Sequence, residues 1–396
     1  MVRWSEHLAL CADERRAQGL WRVRRTHHGN AALRDFAGND YLGLAGDPRL
    51  AEAQAEGARR FGAGARASHL VTGHLDVHDA LEARLAALTG RPRALLFSTG
   101  YMANLGTLQA LCDHNTQGAC PPLIFQDRLN HASLLDGAAL AGARSRRFHH
   151  RDLADLERLL GRTPAQSRAL VVSDGVFSMD GDVADIAGLS ATCARHGAWL
   201  MIDDAHGLGV LGEHGDGCVG RMHGVDAVPV LVGTLGKALG TAGAFVAGSH
   251  ALVEHLIQFA RPYVYTTAQP PGVAAATLAA LDILATEPER RARLASMIRR
   301  FRHEAARLGL PLMASTTPIQ PLVLGDSQRV MAWSAHLAKR NLRVGAIREP
   351  TVPRGQARLR ITLSAAHSND DIDALLGGLA DCQTAVDIRR HREIDA

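Results

Sequence analysis

Six short apolar runs constrain the fold of this chain more than anything else in it: RALLF (93–97), PLIFQD (122–127), ALVVSD (169–174), AWLMID (198–203), PVLVG (229–233) and GAFVAG (243–248). Several are continuous rather than alternating. A strand wetted on one side alternates polar with apolar, whereas one covered on both faces has no need to. Helical stretches lie between them, among them DLADLERLL (152–160) and ADIAGLSATCARHG (184–197). Strand and helix in repeated order predict a doubly wound α/β domain around a mostly parallel sheet, expected over residues 46–280. Residues 1–45 read as a helix and a short extended piece closing with GNDYLGL. Beyond AQPPGVA (268–274) come a long Arg/Ala/Leu helical region (274–308), QPLVLGD, a further helix and ARLRITLSAAH, which predict a small α+β domain over 281–396.

Charge and composition exclude several classes. The net charge of +4 on 396 residues is small and dispersed, so it does not argue for nucleic acid. No apolar run reaches the roughly 18 residues of a membrane span. The opening MVRWSEHLALCADERRAQGL mixes acids and bases through its apolar positions, unlike a secretory signal. Six cysteines, at 11, 112, 120, 193, 218 and 382, form no C-x-x-C pair. Reduced thiols and a cytoplasmic protein are the expectation.

In open α/β sheets ligands bind beyond the carboxyl ends of the strands. Three consecutive runs end in chemistry there: ALVVSDGVFS brings Asp174 and Ser178, AWLMIDDAHG brings Asp203 and His206, and PVLVGTLGK brings Thr234 and Lys237. Lys237 is a single amine among small residues at the end of a buried strand. An amine so placed, with an aspartate ending the preceding strand, is what pyridoxal phosphate requires. The lysine forms a Schiff base with the aldehyde, and the aspartate pairs with the protonated ring nitrogen so that the ring can accept electrons. Asp203 follows WLMI and is expected to be buried, where a carboxylate needs a partner. His206 could reach the ring hydroxyl, Ser178 and Thr234 add hydroxyls, and STGYMANLG (98–106) opens a helix whose amides suit a phosphate.

STGYMAN, DRLNHASLLDGA, DGVFSMDGD, MIDDAHGLGVLGEHG and GTLGKALG occur in that order, and with them the chain resembles the α-oxoamine synthases. These are pyridoxal phosphate-dependent acyltransferases of fold type I that work as homodimers. The resemblance covers about residue 4 to residue 380. It implies Lys237 as the covalent anchor, Asp203 at the ring nitrogen, His206 at the ring hydroxyl and His131 stacked on the ring. Gly100, Tyr101, Ser178 and Thr234 complete the implied cofactor shell, and Thr267 of YTTAQPP reaches the phosphate of the neighbouring subunit. Lys237, Asp203, His131 and His206 are thus the implied catalytic residues. Within the family, AIREPTVPRGQARLRITLSAAH (346–367), supported by GAGARASHLVTGH (62–74), points to the branch that joins L-alanine to a pimeloyl thioester of coenzyme A or acyl carrier protein. The sibling branch joins glycine to a short acyl group on coenzyme A. Arg348 would clamp the amino acid carboxylate with Asn39 assisting, Thr351 would touch substrate, and Arg22 aligns with a substrate-contact position. The family usually reads Arg-Pro-Pro-Thr-Val-Pro here, so Glu349 is a departure.

Other motifs read more plainly. HLDVH puts His74 and His78 at the i, i+4 spacing of metal ligands but lacks the Glu of H-E-x-x-H, and no metal is expected. GAGARAS follows a helical run rather than a strand, which fails the context a dinucleotide loop needs. The pairs at 27–28 and 149–150 read as surface histidines, and Arg15, Arg16, Arg24 and Arg25 as a solvated helix face that could also meet an acyl carrier. Asp174 stands where the family commonly has Glu, and supports the site from behind. Two other classes remain open: a metal-dependent hydrolase on His74 and His78, and a cofactor-binding module without turnover. Absorbance of the purified protein tells the first apart, and CO2 release with alanine the second.

Overall fold

The fold is seen in a computed structural model that describes residues 3–18, 20–24, 26, 33–112, 122–164 and 166–386. Among the described residues eleven strands run in chain order: β1 (Arg34–Phe36), β2 (Arg93–Phe97), β3 (Leu123–Asp127), β4 (Arg144–Phe148), β5 (Ala169–Asp174), β6 (Trp199–Asp203), β7 (Val230–Thr234), β8 (Ala244–Gly248), β9 (Ile319–Gly325), β10 (Leu342–Ile347) and β11 (Ala357–Thr362). The seven from β2 to β8 form one sheet in the order β2-β8-β7-β6-β5-β3-β4. β8 is antiparallel to both its neighbours and the other pairings are parallel, so the doubly wound, mostly parallel reading holds.

The continuous apolar runs have the predicted cause. In β5, Leu170 and Val172 enter one core while Val171 enters another on the opposite face, and in β6 Met201 parts from Leu200 and Ile202 in the same way. Each fully buried aliphatic side chain contributes about 1.5–3 kcal/mol, so covering both faces rewards every position and leaves no polar alternation. Two strands, β4 and β10, escaped the sequence reading. β4 is RSRRF, an edge strand with four polar residues whose strand character comes from pairing with β3. β1, within the short extended piece expected in residues 1–45, has three residues and pairs in parallel with β10, so segments from both halves of the chain build the second sheet, β1-β10-β11-β9. The region 274–308 is two helices, Pro271–Thr286 and Glu289–Arg307, parted at Pro288. Proline lacks the N–H and crowds the preceding turn, so one helix cannot run through it. Among the described residues no helix is long and apolar enough to cross a membrane.

Candidate active site

The sheet order sets β5, β6 and β7 side by side, so the three predicted strand ends open onto one cavity of roughly 220 Å³. Its lining includes Gly100, Tyr101, His131, Asp174, Ser178, Asp203, His206, Thr234 and Lys237, together with Asn104, Ser133 and Ala205. A larger cavity of about 500 Å³ lies against Leu111, Trp199 and Arg168, but its lining holds neither a carboxylate nor an amine, so the chemistry points to the smaller one.

Lys237 and His206 are in contact, Nζ to Nε2 at 2.8 Å, and His206 Nδ1 lies 2.6 Å from the Tyr41 hydroxyl. Tyr41 donates to Asn39 Oδ1 at 3.3 Å, and Arg360 Nη2 donates to the same oxygen at 3.2 Å. Burial holds the Lys237 amine down to about 8 despite the pull of Asp203 and Asp174. Burial, and then the charge of Lys237, push His206 well below the usual imidazole range, so it stays neutral and accepts from the amine at Nε2. Asp204, next to Asp203, fixes the loop behind His206 by accepting from the Cys218 N–H at 2.8 Å. Gly217, at φ 93°, comes so close that a Cβ there would sit 1.9 Å from the Asp204 carboxylate, which is why this loop reads GDGC.

The acid side is as well ordered. Asp203 Oδ2 accepts from Asn104 Nδ2 at 2.6 Å and Oδ1 from the Ala205 N–H at 3.0 Å. Asn104 also donates to Ser133 Oγ at 2.8 Å, which meets His131 Nδ1 at 2.7 Å. The β5–β6 register puts Asp174 directly beside Asp203. Burial, and then that neighbouring charge, raise Asp174 well above the usual carboxylate range. It accepts from the His131 N–H at 2.8 Å, so Asp174 positions the predicted stacking histidine.

His150, expected to be a surface residue, ties two loops of the site together. Its Nδ1 meets Asp127 at 2.9 Å, four residues before His131, and its Nε2 meets Asp182 at 2.8 Å, four residues after Ser178. Burial opposes its charge, but the two carboxylates prevail and raise it to about 9. A folded-state value above the unfolded value of about 6.5 stabilises fully below pH 6.5 and is lost as pH climbs through 9. His150→Gln is therefore expected to cost about 1–3 kcal/mol near pH 7 and to flatten the fall in stability between roughly pH 7 and 9. Thermal unfolding across that range checks it. An unchanged slope would detach His150 from the loops.

Some predicted residues lie outside this lining. Asn39 is half-buried and joins through Tyr41 and Arg360. Arg348 is half-buried just after β10, while Thr351, Thr267 and Arg22 are exposed. Arg16 pairs with Asp13 and lies over Trp21, and Arg25, His27, His28 and Cys120 fall outside the described residues. His74 precedes the helix Asp76–Thr89, so it shares no helical face with His78, yet His69 joins both, with ring nitrogens all within 4.8 Å. His78 spends both nitrogens, accepting from the Leu75 N–H at 3.0 Å and donating to the Gln269 carbonyl at 2.8 Å, so the trio lacks a third ligand. That last bond anchors the segment bearing Thr267. Sequence reading missed Tyr41, Asn104, Ser133 and Arg360. An arginine within an apolar strand such as RLRIT is a usable signal, because a buried guanidinium needs partners.

The residues present fit pyridoxal phosphate. The cavity joins an amine of lowered basicity to a buried carboxylate fixed by two donors. Asn104 keeps a buried Oδ1 without a partner. The helix Gly100–Leu111 starts at the cavity, and no atom lies within 4 Å of where a Gly100 side chain would begin. Thr99 Oγ1 accepts from the Met102 N–H at 3.1 Å, and the Gly100 and Tyr101 N–H groups of this first turn have no partner within the helix, which suits an anion.

Fold and site together define a pyridoxal phosphate-dependent enzyme of fold type I. The sequence pattern described as aminotransferase class I and II matches residues 33–379, and the chain belongs to that family. It is 73% identical over 380 residues to the 8-amino-7-oxononanoate synthase of Chromohalobacter salexigens, covering 96% of this chain and 97% of that one. The 8-amino-7-oxononanoate synthase of Pseudomonas putida KT2440 is 55% identical over 385 residues, covering 95% and 97%. A serine palmitoyltransferase from S. paucimobilis, solved with PLP–myriocin bound, is similar in structure at a TM-score of 0.88 and 28% identity, covering 97% and 98%.

Proposed function

We propose that this chain condenses L-alanine with a pimeloyl thioester to give 8-amino-7-oxononanoate, CO2 and the free carrier thiol, a step of biotin biosynthesis. The observation that carries the reading is the Lys237–His206 pair facing the Asp203 carboxylate across one cavity, in a chain whose 73%-identical relative bears that name. A cytoplasmic homodimer belongs to the same reading, with Thr267 of each chain serving the phosphate site of the other.

Pyridoxal phosphate, when bound, supplies the electron sink that stabilises negative charge at the amino acid α-carbon. Lys237 would hold its aldehyde, Asp203 its ring nitrogen, His206 and Ser178 its ring oxygen, His131 its ring face, and Gly100, Tyr101 and Thr234 its phosphate. The chain's own work is then proton handling and orientation. Once the alanine amine had displaced it from the aldehyde, the Lys237 amine, neutral for much of its time near pH 8, would take the α-proton of alanine and return one to the product carbon. The neutral His206 accepts from that amine and keeps it aimed. Asp203 is held between the Asn104 amide and the Ala205 N–H, and Asp174 keeps His131 in place.

The alanine carboxylate needs a guanidinium. Arg348 is the candidate from sequence, and Arg360 is the one whose charge reaches both Lys237 and His206. Arg360 is buried and held by Ser178 O, Thr362 Oγ1 and Asn39 Oδ1. We assign the clamp to Arg360, with Arg348 at the substrate's outer side. Arg360→Lys is expected to raise the alanine KM at least about tenfold, since an ammonium cannot reproduce a planar fork, while Arg348→Lys changes it less. The reverse order would return the clamp to Arg348.

The reading is tested by assaying alanine, glycine and serine, each with pimeloyl, acetyl and succinyl thioesters. Alanine with pimeloyl is expected to give the highest kcat/KM. Preference for glycine with a short acyl group would place the chain in the sibling branch.

A further inference from the structure

We propose that the edge strand β4 and the adjoining Arg128 form a docking strip for an acidic protein that carries the acyl group as a thioester, an inference that rests on the acyl-transfer reading above. β4 is the outermost strand of the large sheet and carries Arg144, Arg146 and Arg147. Arg128 directly follows β3, and Arg147 Nη2 donates to its carbonyl, so the four guanidinium-bearing residues are contiguous. Arg128, Arg144 and Arg147 are exposed and Arg146 is half-buried.

None of the four pairs with a carboxylate among the described residues. Nearby arginines do: Arg151 with Asp182, Arg158 with Asp155 and Arg195 with Glu157. The local acids are therefore taken, and the strip keeps its positive charge. Charges on an edge strand also deter sheet-to-sheet pairing. That function is met on β4 itself and does not account for Arg128, which lies off the strand, just past the end of β3. Only two residues separate Arg128 from His131, so their Cα atoms are at most about 11 Å apart. The strip thus runs along the sheet edge and ends within that distance of a residue that lines the cavity.

Its layout selects the kind of partner. Strand alternation sends Arg144 and Arg146 to one side of the sheet and Arg147 to the other. Such charges do not converge on a small anion as a phosphate cradle does. A protein surface bearing several carboxylates, laid along the edge, can meet both sides at once. Charge complementarity of this kind acts mainly on the rate of encounter and is weakened by salt.

The test compares pimeloyl acyl carrier protein with pimeloyl-coenzyme A as donors for the loaded enzyme and its R128E/R144E/R146E/R147E variant. The variant is expected to lose about tenfold or more in kcat/KM for the protein-bound donor at low salt, with a flatter salt dependence. Its kcat/KM for pimeloyl-coenzyme A and its alanine saturation should stay within about twofold of wild type. Titration of the carrier protein against both enzymes reads docking without turnover, and the variant should bind at least about tenfold more weakly. Equal binding, equal use of the protein-bound donor, or an equal loss with both donors overturns the proposal. Absence of product from either donor, with salt-sensitive carrier binding intact, would instead sink the acyl-transfer reading and leave the docking strip standing.

Discussion

Lys237→Ala is expected to lower turnover by at least about 10³–10⁴-fold, with loss of the absorbance of covalently held cofactor. General base catalysis alone supplies about 10²–10⁴-fold, and this substitution removes the proposed covalent anchor as well. The fold should not suffer. The amine is held down to about 8 by burial, so below pH 8 it is charged in both the folded and the unfolded chain and its burial penalty is fully present. Stability of the wild-type apo protein should therefore rise as pH climbs from about 8 to 10.5, where the unfolded chain binds more protons. The alanine variant should lack that rise and be no less stable at pH 7. The same lowered value predicts that capture of pyridoxal phosphate by wild-type apo protein accelerates with pH and levels off above about 8, whereas an ordinary lysine would keep gaining towards 10.5. Stopped-flow absorbance reads the capture rate. Wild-type turnover in the variant would remove Lys237 from the centre of the site.

The legible part of this site was the part delivered by strands. Asp174, Asp203 and Thr234 end β5, β6 and β7, and an apolar run followed by a polar residue is visible in any sequence. What could not be read was which side chains arrive from elsewhere to hold them. Asn104 sits in the first turns of a mostly apolar helix, and its partner Asp203 lies 99 residues away. Tyr41 reaches His206 across 165 residues and Arg360 reaches Asn39 across 321. Spacing rules are local and do not see such contacts. β4 escaped for a related reason: an edge strand needs only one row of backbone partners, so RSRRF carries no apolar signature. His150 was misread because a histidine beside another histidine looks like surface, and the two carboxylates that make it a bridge come from separate loops.

Asp203→Asn is the sharper test, because the surroundings can accept the change in shape while losing the charge. The new amide would present N–H toward Asn104 Nδ2, donor against donor. Asn104, however, has a buried Oδ1 without a partner, and a half-turn of its side chain brings that oxygen to face both the new N–H and the Ser133 hydroxyl, which can turn to donate to it. The Ala205 N–H can still donate to the remaining carbonyl oxygen. The apo variant should thus unfold within a few degrees of wild type and still bind cofactor through Lys237 and the phosphate contacts. Without the carboxylate, nothing holds a proton at the ring nitrogen. Lys237 also loses the largest charge that supports its protonation, so its value should fall below about 8. Loss of one buried electrostatic partner to charge developing in a reaction costs about 10²–10³-fold, and turnover with alanine should drop by that much. Circular dichroism and thermal unfolding establish the fold, and steady-state kinetics read the loss. If the folded variant keeps activity within threefold of wild type, the Asp203 carboxylate serves only to order Asn104 and the turn at Ala205.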